Sequence, residues 1–590
     1  MARKFDYAQR IGLLVVGVAL LMVQLGNSHL WDQDEGYYAT TAAEMYARND
    51  WITPTFNGKL FGHKPPMMYW GMMLGYHAFG VTEFGARFCS SIFGILTIMA
   101  TYAIARRLFD ATTGFFAGLA IGSCFMFATV ARSATADAHL AFFTVLALFV
   151  WSRSYFSVQG VTRDQRLAAM PWRVWLAAYA VMGLAVLTKG PIGFLFPTAV
   201  IGLFLLTEQQ VMQPLGVSRL KRIAIGLSRY FPFPFFKTVW KMRPFTAILA
   251  VSVVAAPWYL LVQWKTDGAF LREFIGVHHM GRFSSAMDNH SGPAYYYLLA
   301  CLIGLYPWSA FAIPTVMTWV AQSKLPSHSA ATRFVSCWIA VYLLIFSLAS
   351  TKLPNYVLPA YPALAIIVGR YFAIWSRDAS RVNTFWLHAG WLLLIAVGVG
   401  IVCGLPALAF IEFQGQTVLG RFNMDPLIQR RLAWLGMAGL PLAVFGVLGW
   451  SFLYCKKTSW AAGAFVVAAT SLIAILSQVV APELDRLQSS QMLAENLKAR
   501  FANEGTQVTI LGHYRPTMVF YLGQEIDFCD SPAEAIERSN ANSNSILITT
   551  EGLFSRIEPF LQEHTAVIQR VAQFPGREDL IVLGDQSLMR

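Results

Sequence analysis

The residues of this chain with the capacity for chemistry are acids and lysines set at the edges of apolar runs. Asp32, Asp34 and Glu35 sit together in "LWDQDEGYY" (residues 30–38), directly behind the apolar run Ile11 to Leu25. A carboxylate in the first turn of a helix stabilises it by about 0.3–1 kcal/mol, so capping accounts for one acid and not for three. Acids at a membrane boundary cost desolvation unless cations or water meet them, and they mark functional sites by default. Asp34 and Glu35 are therefore candidates for catalysis, by charge stabilisation or proton removal. Asp32 reads as solvated or capping. Asp137 closes "RSATAD" ahead of a further apolar run. It is either a helix cap or a second acid of the same site, with Arg132 at hand to neutralise it.

The cations are placed in the same way. Lys64 precedes Pro65 and Pro66, which fix the backbone, and a compact ammonium held there suits a phosphate anion. Lys189 in "TKGP" and Lys352 in "STKLPNY" each flank an apolar run, and each alone could be a lysine snorkelling at a kink. Three such lysines on one face make a cationic pocket for a lipid phosphate the more economical reading. The stretch from Lys265 to Tyr297 adds Arg272, Glu273, His278, His279, Arg282 and His290 before a tyrosine run. Arg282 joins the phosphate-binding set with Lys64, Lys189 and Lys352. His63, Tyr69, Glu273, His279, His290 and Tyr356 form the candidate substrate-binding set, with ordinary loop packing as the competing account. No HExxH or comparable ligand spacing occurs, so a divalent metal is the weaker alternative, with His63 and His278 as its candidates. No nucleotide-binding glycine loop and no GxSxG elbow stands in a suitable context.

These residues are carried by a membrane protein. Of 590 residues 56% are hydrophobic and 13% charged, and the mean hydropathy is +0.49, values that a soluble globule does not have. Windows of membrane-spanning length recur about 13 times up to Ala481. No A-x-A cleavage site follows the first of them, which reads as a retained anchor. Basic connecting segments, among them Arg106/Arg107, Arg153 to Arg173 and Lys456/Lys457, are cytoplasmic by the positive-inside rule. Residues 30–83, "RSATAD", "TKGP", residues 265–295 and "STKLPNY" then share the opposite face, as does the C-terminus after an odd number of crossings.

Six cysteines fall in or beside apolar runs and only Cys529 in a polar one, which argues against a disulfide framework. Beyond Ala481, "QVTILG", "SILITT" and "DLIVLG" read as strands between helical patterns at Ser490 to Asn503 and Pro532 to Arg538. The reading is a transmembrane domain over residues 1–481, with 30–83 as its first external loop, and a soluble α/β domain over 482–590. The soluble part carries 9 basic and 15 acidic residues, net −6, so the membrane part carries +19 of the total +13. Its partner is anionic lipid, not nucleic acid. There is no internal repeat of the kind inverted-repeat transporters show.

"DQDEGYYATTAAEMYARNDWITPTFNGKLFGHKPPMMYW", followed by "TEFGARF", resembles the first external loop of the lipid-carrier-dependent glycosyltransferases with the GT-C fold. More narrowly it resembles the bacterial aminoarabinose (4-amino-4-deoxy-L-arabinose) lipid A transferase family, which is related to the protein O-mannosyltransferases. "ARSATAD", "TKGPIG", "HSGPAYYY" and "STKLPNYVLPAYP" extend the likeness over roughly residues 10–375. The resemblance implies a polytopic GT-C membrane domain of thirteen helices and a C-terminal periplasmic α/β domain. It implies undecaprenyl-phosphate-linked sugar as donor and a lipid A phosphate as acceptor at the periplasmic face of the bacterial inner membrane, lowering lipopolysaccharide charge as in polymyxin resistance. The family's essential acid falls on Asp34, its second acid on Asp137 and its "KPP" lysine on Lys64. Tyr37 and Tyr38 stand where relatives often have an arginine, and His63 where they often have a glutamate.

On this reading the carrier phosphate leaves the anomeric carbon as an acceptor oxygen attacks from the opposite face, with inversion. No cofactor is required, and the chain is expected to act as a monomer. An ionised phosphate acceptor needs no base, a hydroxyl acceptor makes Asp34 a general base, and Glu35 or Asp137 would hold an amino sugar's cation. Transfer to a protein or polysaccharide hydroxyl is the alternative, and a lipid-linked-sugar flippase is the remaining class.

Overall fold

The computed structural model describes all residues except 1, 159–161, 209–231, 282–291, 414–415, 418–425, 487–488, 501–505, 542–543, 572–577 and 586–590. Seven described helices are long and apolar enough to cross a membrane. Three bent helix pairs, Ala111–Gly122 with Phe125–Ala131, Arg163–Ala169 with Trp172–Lys189, and Tyr296–Gly304 with Trp308–Ser323, raise the number to ten if each is one span. Packed among these are α1 (Ala2–Leu21), α7 (Asp137–Tyr155) and the shorter apolar α10 (Ile192–Thr207). Between α1 and α7 run α2 (Asp34–Ala47), α3 (Met67–Phe79), the long α4 (Glu83–Leu108), α5 (Ala111–Gly122) and α6 (Phe125–Ala131).

Local chemistry explains where the helices stop. α3 begins directly after Pro65 and Pro66, as expected for prolines that set φ and lack a donor at a helix start. α9 (Trp172–Lys189) ends at Gly190, whose φ of +77° only glycine adopts without strain, and Pro191 then leads into α10. Lys189 is thereby left at the end of its helix, with its ammonium free to turn toward the neighbouring α7.

The five-stranded sheet lies within residues 507–585, in the order β6-β5-β7-β9-β8. β5 (Gln507–Leu511), β6 (Ile526–Cys529) and β7 (Ser545–Thr550) are parallel, joined by crossover helices Pro516–Leu522 and Pro532–Ala541. β9 (Leu580–Asp585) and β8 (Thr565–Val571) add an antiparallel edge. The runs "QVTILG", "SILITT" and "DLIVLG" are β5, β7 and β9. Cys529, read from sequence as lying in a polar region, is instead buried at the end of β6 against Leu511 and Leu547, because its strand packs under Ala535 and Phe554. All seven cysteines are free thiols.

Alternation along the strands sorts the side chains onto two faces. Leu511, Leu547 and Ile581 meet Phe554 and Ile557, while Val508, Ile510, Ile546 and Ile548 share a core with Ala39, Ala42 and Met45 of α2 and Met68 and Met72 of α3. The sheet domain and the loop at residues 30–83 are therefore one packed unit. Gly36 marks a close backbone approach: a Cβ there would lie 2.7 Å from the Thr517 backbone nitrogen. Asp32 seals the contact. Rather than being solvated, it pairs with Arg515 at 2.7 Å and accepts from the Thr517 backbone N–H at 3.3 Å and from its hydroxyl. Asn57 exchanges two hydrogen bonds with the backbone of Ile526. Removing the charge-assisted contact through Arg515→Ala is expected to cost the docked arrangement about 1.5–3 kcal/mol. Hydrogen exchange over Pro516–Leu522 should accelerate about tenfold or more; unchanged exchange there would show that the apolar contacts alone hold the domain.

Candidate active site

Asp34 and Glu35 are adjacent in sequence and opposite in circumstance. Glu35 is 3% exposed and every direction around its carboxylate is filled. Arg87 donates through Nε at 2.9 Å and Nη2 at 2.7 Å, the Trp31 N–H at 2.9 Å and the Ala134 N–H at 2.6 Å. Arg87, equally buried, also donates to the carbonyls of Leu25, Ser28 and His29. This one pair ties together the end of the first apolar run, the start of α2, α4 and the turn before α7. Glu35 thus ties these elements together, with both of its oxygens held by donors. Arg87 was present in the quoted "TEFGARF" without being singled out; its signal was a lone arginine inside a membrane-length apolar helix.

Asp34 is exposed at the first turn of α2, and among the described residues no hydrogen bond or ion pair reaches its carboxylate. One turn on, Tyr38 turns to Tyr69, the ring centroids 6.3 Å apart, and Lys64 places its ammonium 5.8 Å from the Tyr38 ring centroid. Lys64 is 8% exposed and donates to the His63 carbonyl at 3.3 Å. Tyr69 is wholly buried. Its hydroxyl has no hydrogen-bond partner among the described residues. Burial, followed by the negative charges of Asp34 and Glu273, holds its hydroxyl well above the usual range, so Tyr69 remains a proton-bearing donor beside two acids. Burial likewise raises the Glu273 carboxyl, with the Gly62 N–H working against it. A Cβ on Gly62 would fall 2.7 Å from the Glu273 carboxyl carbon, so only glycine lets the segment preceding Lys64 approach the π-helical turn Arg272–Gly281 this closely.

The second group forms around Asp137 at the first turn of α7. Lys189 meets one oxygen at 2.5 Å and the Asn355 amide donates to the other at 3.1 Å. The Lys189 ammonium also lies 5.2 Å from the centroid of the Tyr356 ring. Asp137 is therefore neutralised by Lys189 and not by Arg132. Arg132 instead donates to the carbonyls of Leu20, Val23, Gln24 and Ser477. Lys352 donates to the Ala349 carbonyl at 2.9 Å, and its chain would lie 3.2 Å from a Cβ on Gly292. α3 connects the two groups: Met67 packs on Leu140, Phe143 and Ala185, and Gly71 comes close to His139.

His63 stacks on Phe61 at 3.8 Å with Tyr37 beside them, 5.2 Å from Phe61, and Tyr514 of the sheet domain borders Tyr37 at 6.0 Å. Arg282 and His290 lie outside the described residues, as do the side chains of His278 and His279. Among the described residues no group of three or more His, Cys, Asp or Glu side chains is arranged to hold a metal ion. In sum, the geometry gathers an open carboxylate, a buried tyrosine donor and two partly shielded ammonium groups around one end of the helix bundle. Such a set can bind a phosphate and balance developing positive charge.

The whole architecture is similar to the crystal structure of ArnT from Cupriavidus metallidurans bound to undecaprenyl phosphate, with a TM-score of 0.75 over 98% of each chain at 21% identity. Residues 63–227 match the dolichyl-phosphate-mannose-protein mannosyltransferase family. Fold and site thus define a multi-pass membrane glycosyltransferase of the GT-C class. An uncharacterized protein of Aquifex aeolicus is 30% identical over 384 residues, 65% of this chain and 67% of that one. The undecaprenyl phosphate-alpha-4-amino-4-deoxy-L-arabinose arabinosyl transferase of Pseudomonas paraeruginosa is 26% identical over 504 residues, 83% of this chain and 81% of that one. The chain is thus similar over most of its length to undecaprenyl phosphate-aminoarabinose arabinosyl transferases, the likeness its first external loop led us to expect.

Proposed function

We propose that the protein transfers 4-amino-4-deoxy-L-arabinose from undecaprenyl phosphate to a phosphate of lipid A at the periplasmic face of the inner membrane, inverting the anomeric centre. The observation that supports this most directly is an exposed carboxylate, Asp34, with no hydrogen bond or ion pair among the described residues, on the helix whose Tyr38 ring borders the buried Lys64 ammonium. Lys64, with Lys189 and Lys352 nearby in the same end of the fold, stabilises the departing carrier phosphate. Asp34 orients the acceptor or balances charge on the sugar ring, and Tyr69 offers its proton-bearing hydroxyl beside it. The Asp137 carboxylate, held by Lys189 and Asn355, sets that lysine's position. No step requires a nucleotide, because the lipid phosphate is itself the leaving group.

Transfer to a protein or polysaccharide hydroxyl is the second reading. It draws on the stack of Tyr37, Phe61 and His63, an aromatic surface suited to a neutral sugar where relatives often place charge. Purified protein given undecaprenyl-phosphate aminoarabinose with lipid A should turn over, and with a polysaccharide or peptide acceptor should not; the reverse pattern selects the second reading. Donor movement across vesicles without any transfer would identify a flippase. In the same assay Lys64→Ala should raise the donor KM about tenfold or more, corresponding to loss of a charge-assisted contact. An unchanged donor KM would remove Lys64 from the phosphate site.

A further inference from the structure

A cavity of about 490 Å³ lies beside the Glu35–Arg87 pair, between α6, the segment following α1 and the helical stretch from Ile473 to Leu484. It has two characters. Phe125, Ile473, Leu476 and Val480 make one part apolar, while Ser28, Ser133 and two arginines, Arg87 and Arg132, make the other polar. The two arginines differ in charge balance. Arg87 is neutralised by Glu35. Arg132 is 9% exposed, all four of its hydrogen-bond acceptors are neutral carbonyls, and no carboxylate among the described residues forms an ion pair with it. Glu35 is the only acid lining the cavity, so the lining retains one uncompensated positive charge.

A buried cation without a counter-ion is costly, and an anion supplied from outside relieves that cost. Trp31, 48% exposed at the rim, stands as an interfacial anchor and marks the height of the membrane headgroups. We propose that this cavity is a binding site for an anionic glycerophospholipid, with the phosphodiester on Arg132 and Ser133 and the acyl chains along Leu476 and Val480. A phosphodiester carries a single negative charge and matches the one unbalanced arginine, whereas a phosphomonoester carries about −1.5 to −2 and would leave an excess. Basic pockets between transmembrane helices hold lipid headgroups in this manner. The bound lipid joins α1, α6 and the Ile473–Leu484 stretch, three elements that Arg132 already bridges through its carbonyl contacts. The site is distinct from the proposed transfer centre: none of Asp34, Lys64, Tyr69, Asp137 and Lys189 lines the cavity.

The test is native mass spectrometry of the full-length protein with phosphatidylglycerol and phosphatidylcholine, before and after two substitutions. The wild type should retain one phosphatidylglycerol about tenfold more strongly than phosphatidylcholine. Thr129→Trp places a ring into the cavity from an exposed position and should abolish retention without disturbing the fold. Arg132→Gln should remove the preference between the two lipids. Equal retention in wild type and Thr129→Trp overturns the proposal, and so does displacement of phosphatidylglycerol by equimolar undecaprenyl phosphate or its aminoarabinose conjugate, which would make the cavity the carrier lipid's.

Discussion

Asp34→Asn is expected to lower transfer by about 10²–10⁴-fold while leaving expression, detergent stability and lipid binding intact. The side chain is exposed, and among the described residues nothing hydrogen-bonds to its carboxylate, so an isosteric amide leaves no buried partner unsatisfied. The structural cost is confined to the favourable interaction of an acid with a helix start, about 0.3–1 kcal/mol. The chemical cost is much larger, because the amide neither balances positive charge on the ring nor accepts a proton. Mass spectrometry of lipid A from a null strain carrying the variant reads the result. Near-normal modification would end the case for Asp34 as the reacting acid.

Glu35→Gln should fail in a different way. The Glu35–Arg87 pair is buried on both sides, and removing one member of such a pair costs about 3–5 kcal/mol because the other charge is left uncompensated. The expected outcome is a steep loss of folded, monodisperse protein and a lowered melting temperature, with residual activity in proportion to what folds. Replacing both partners by apolar residues should recover part of the stability lost in either single variant, since an apolar pair leaves no orphaned charge. The recovery is partial because Arg87 also serves three backbone carbonyls. If Glu35→Gln instead folds like the wild type and loses only turnover, Glu35 belongs to the chemistry and the division of labour drawn between the two neighbours is wrong.

The contrast between these neighbours shows the limit of reading residues along a chain. Three acids in "LWDQDEGYY" looked alike because each is a carboxylate near the same apolar boundary. Their partners lie far away in sequence: Asp32 is satisfied by Arg515 and Thr517, Glu35 by Arg87 and the Ala134 N–H, and Asp34 by no described hydrogen bond or ion pair. The same holds at "RSATAD", where the arginine five residues from Asp137 turns away to carbonyls and Lys189, from another helix, takes its place. Proximity in sequence made Arg132 the obvious counter-ion. Helix geometry and the positive-φ turn at Gly190 brought Lys189 there instead.

What the sequence by itself determined are the features governed by local and one-dimensional physics. Apolar runs of bilayer length specify spanning helices, because backbone polar groups in hydrocarbon must be satisfied within the segment. Short apolar, β-branched runs bounded by turns specified β5, β7 and β9, and the ordered loop motifs carried the family resemblance. What only the tertiary structure decided is which polar groups neutralise one another. An ion pair across 52 residues of chain, as between Glu35 and Arg87 or Asp137 and Lys189, leaves no periodic trace. It forms because burial makes an unpaired charge far more costly than a paired one, and that cost exists only once the helices have packed.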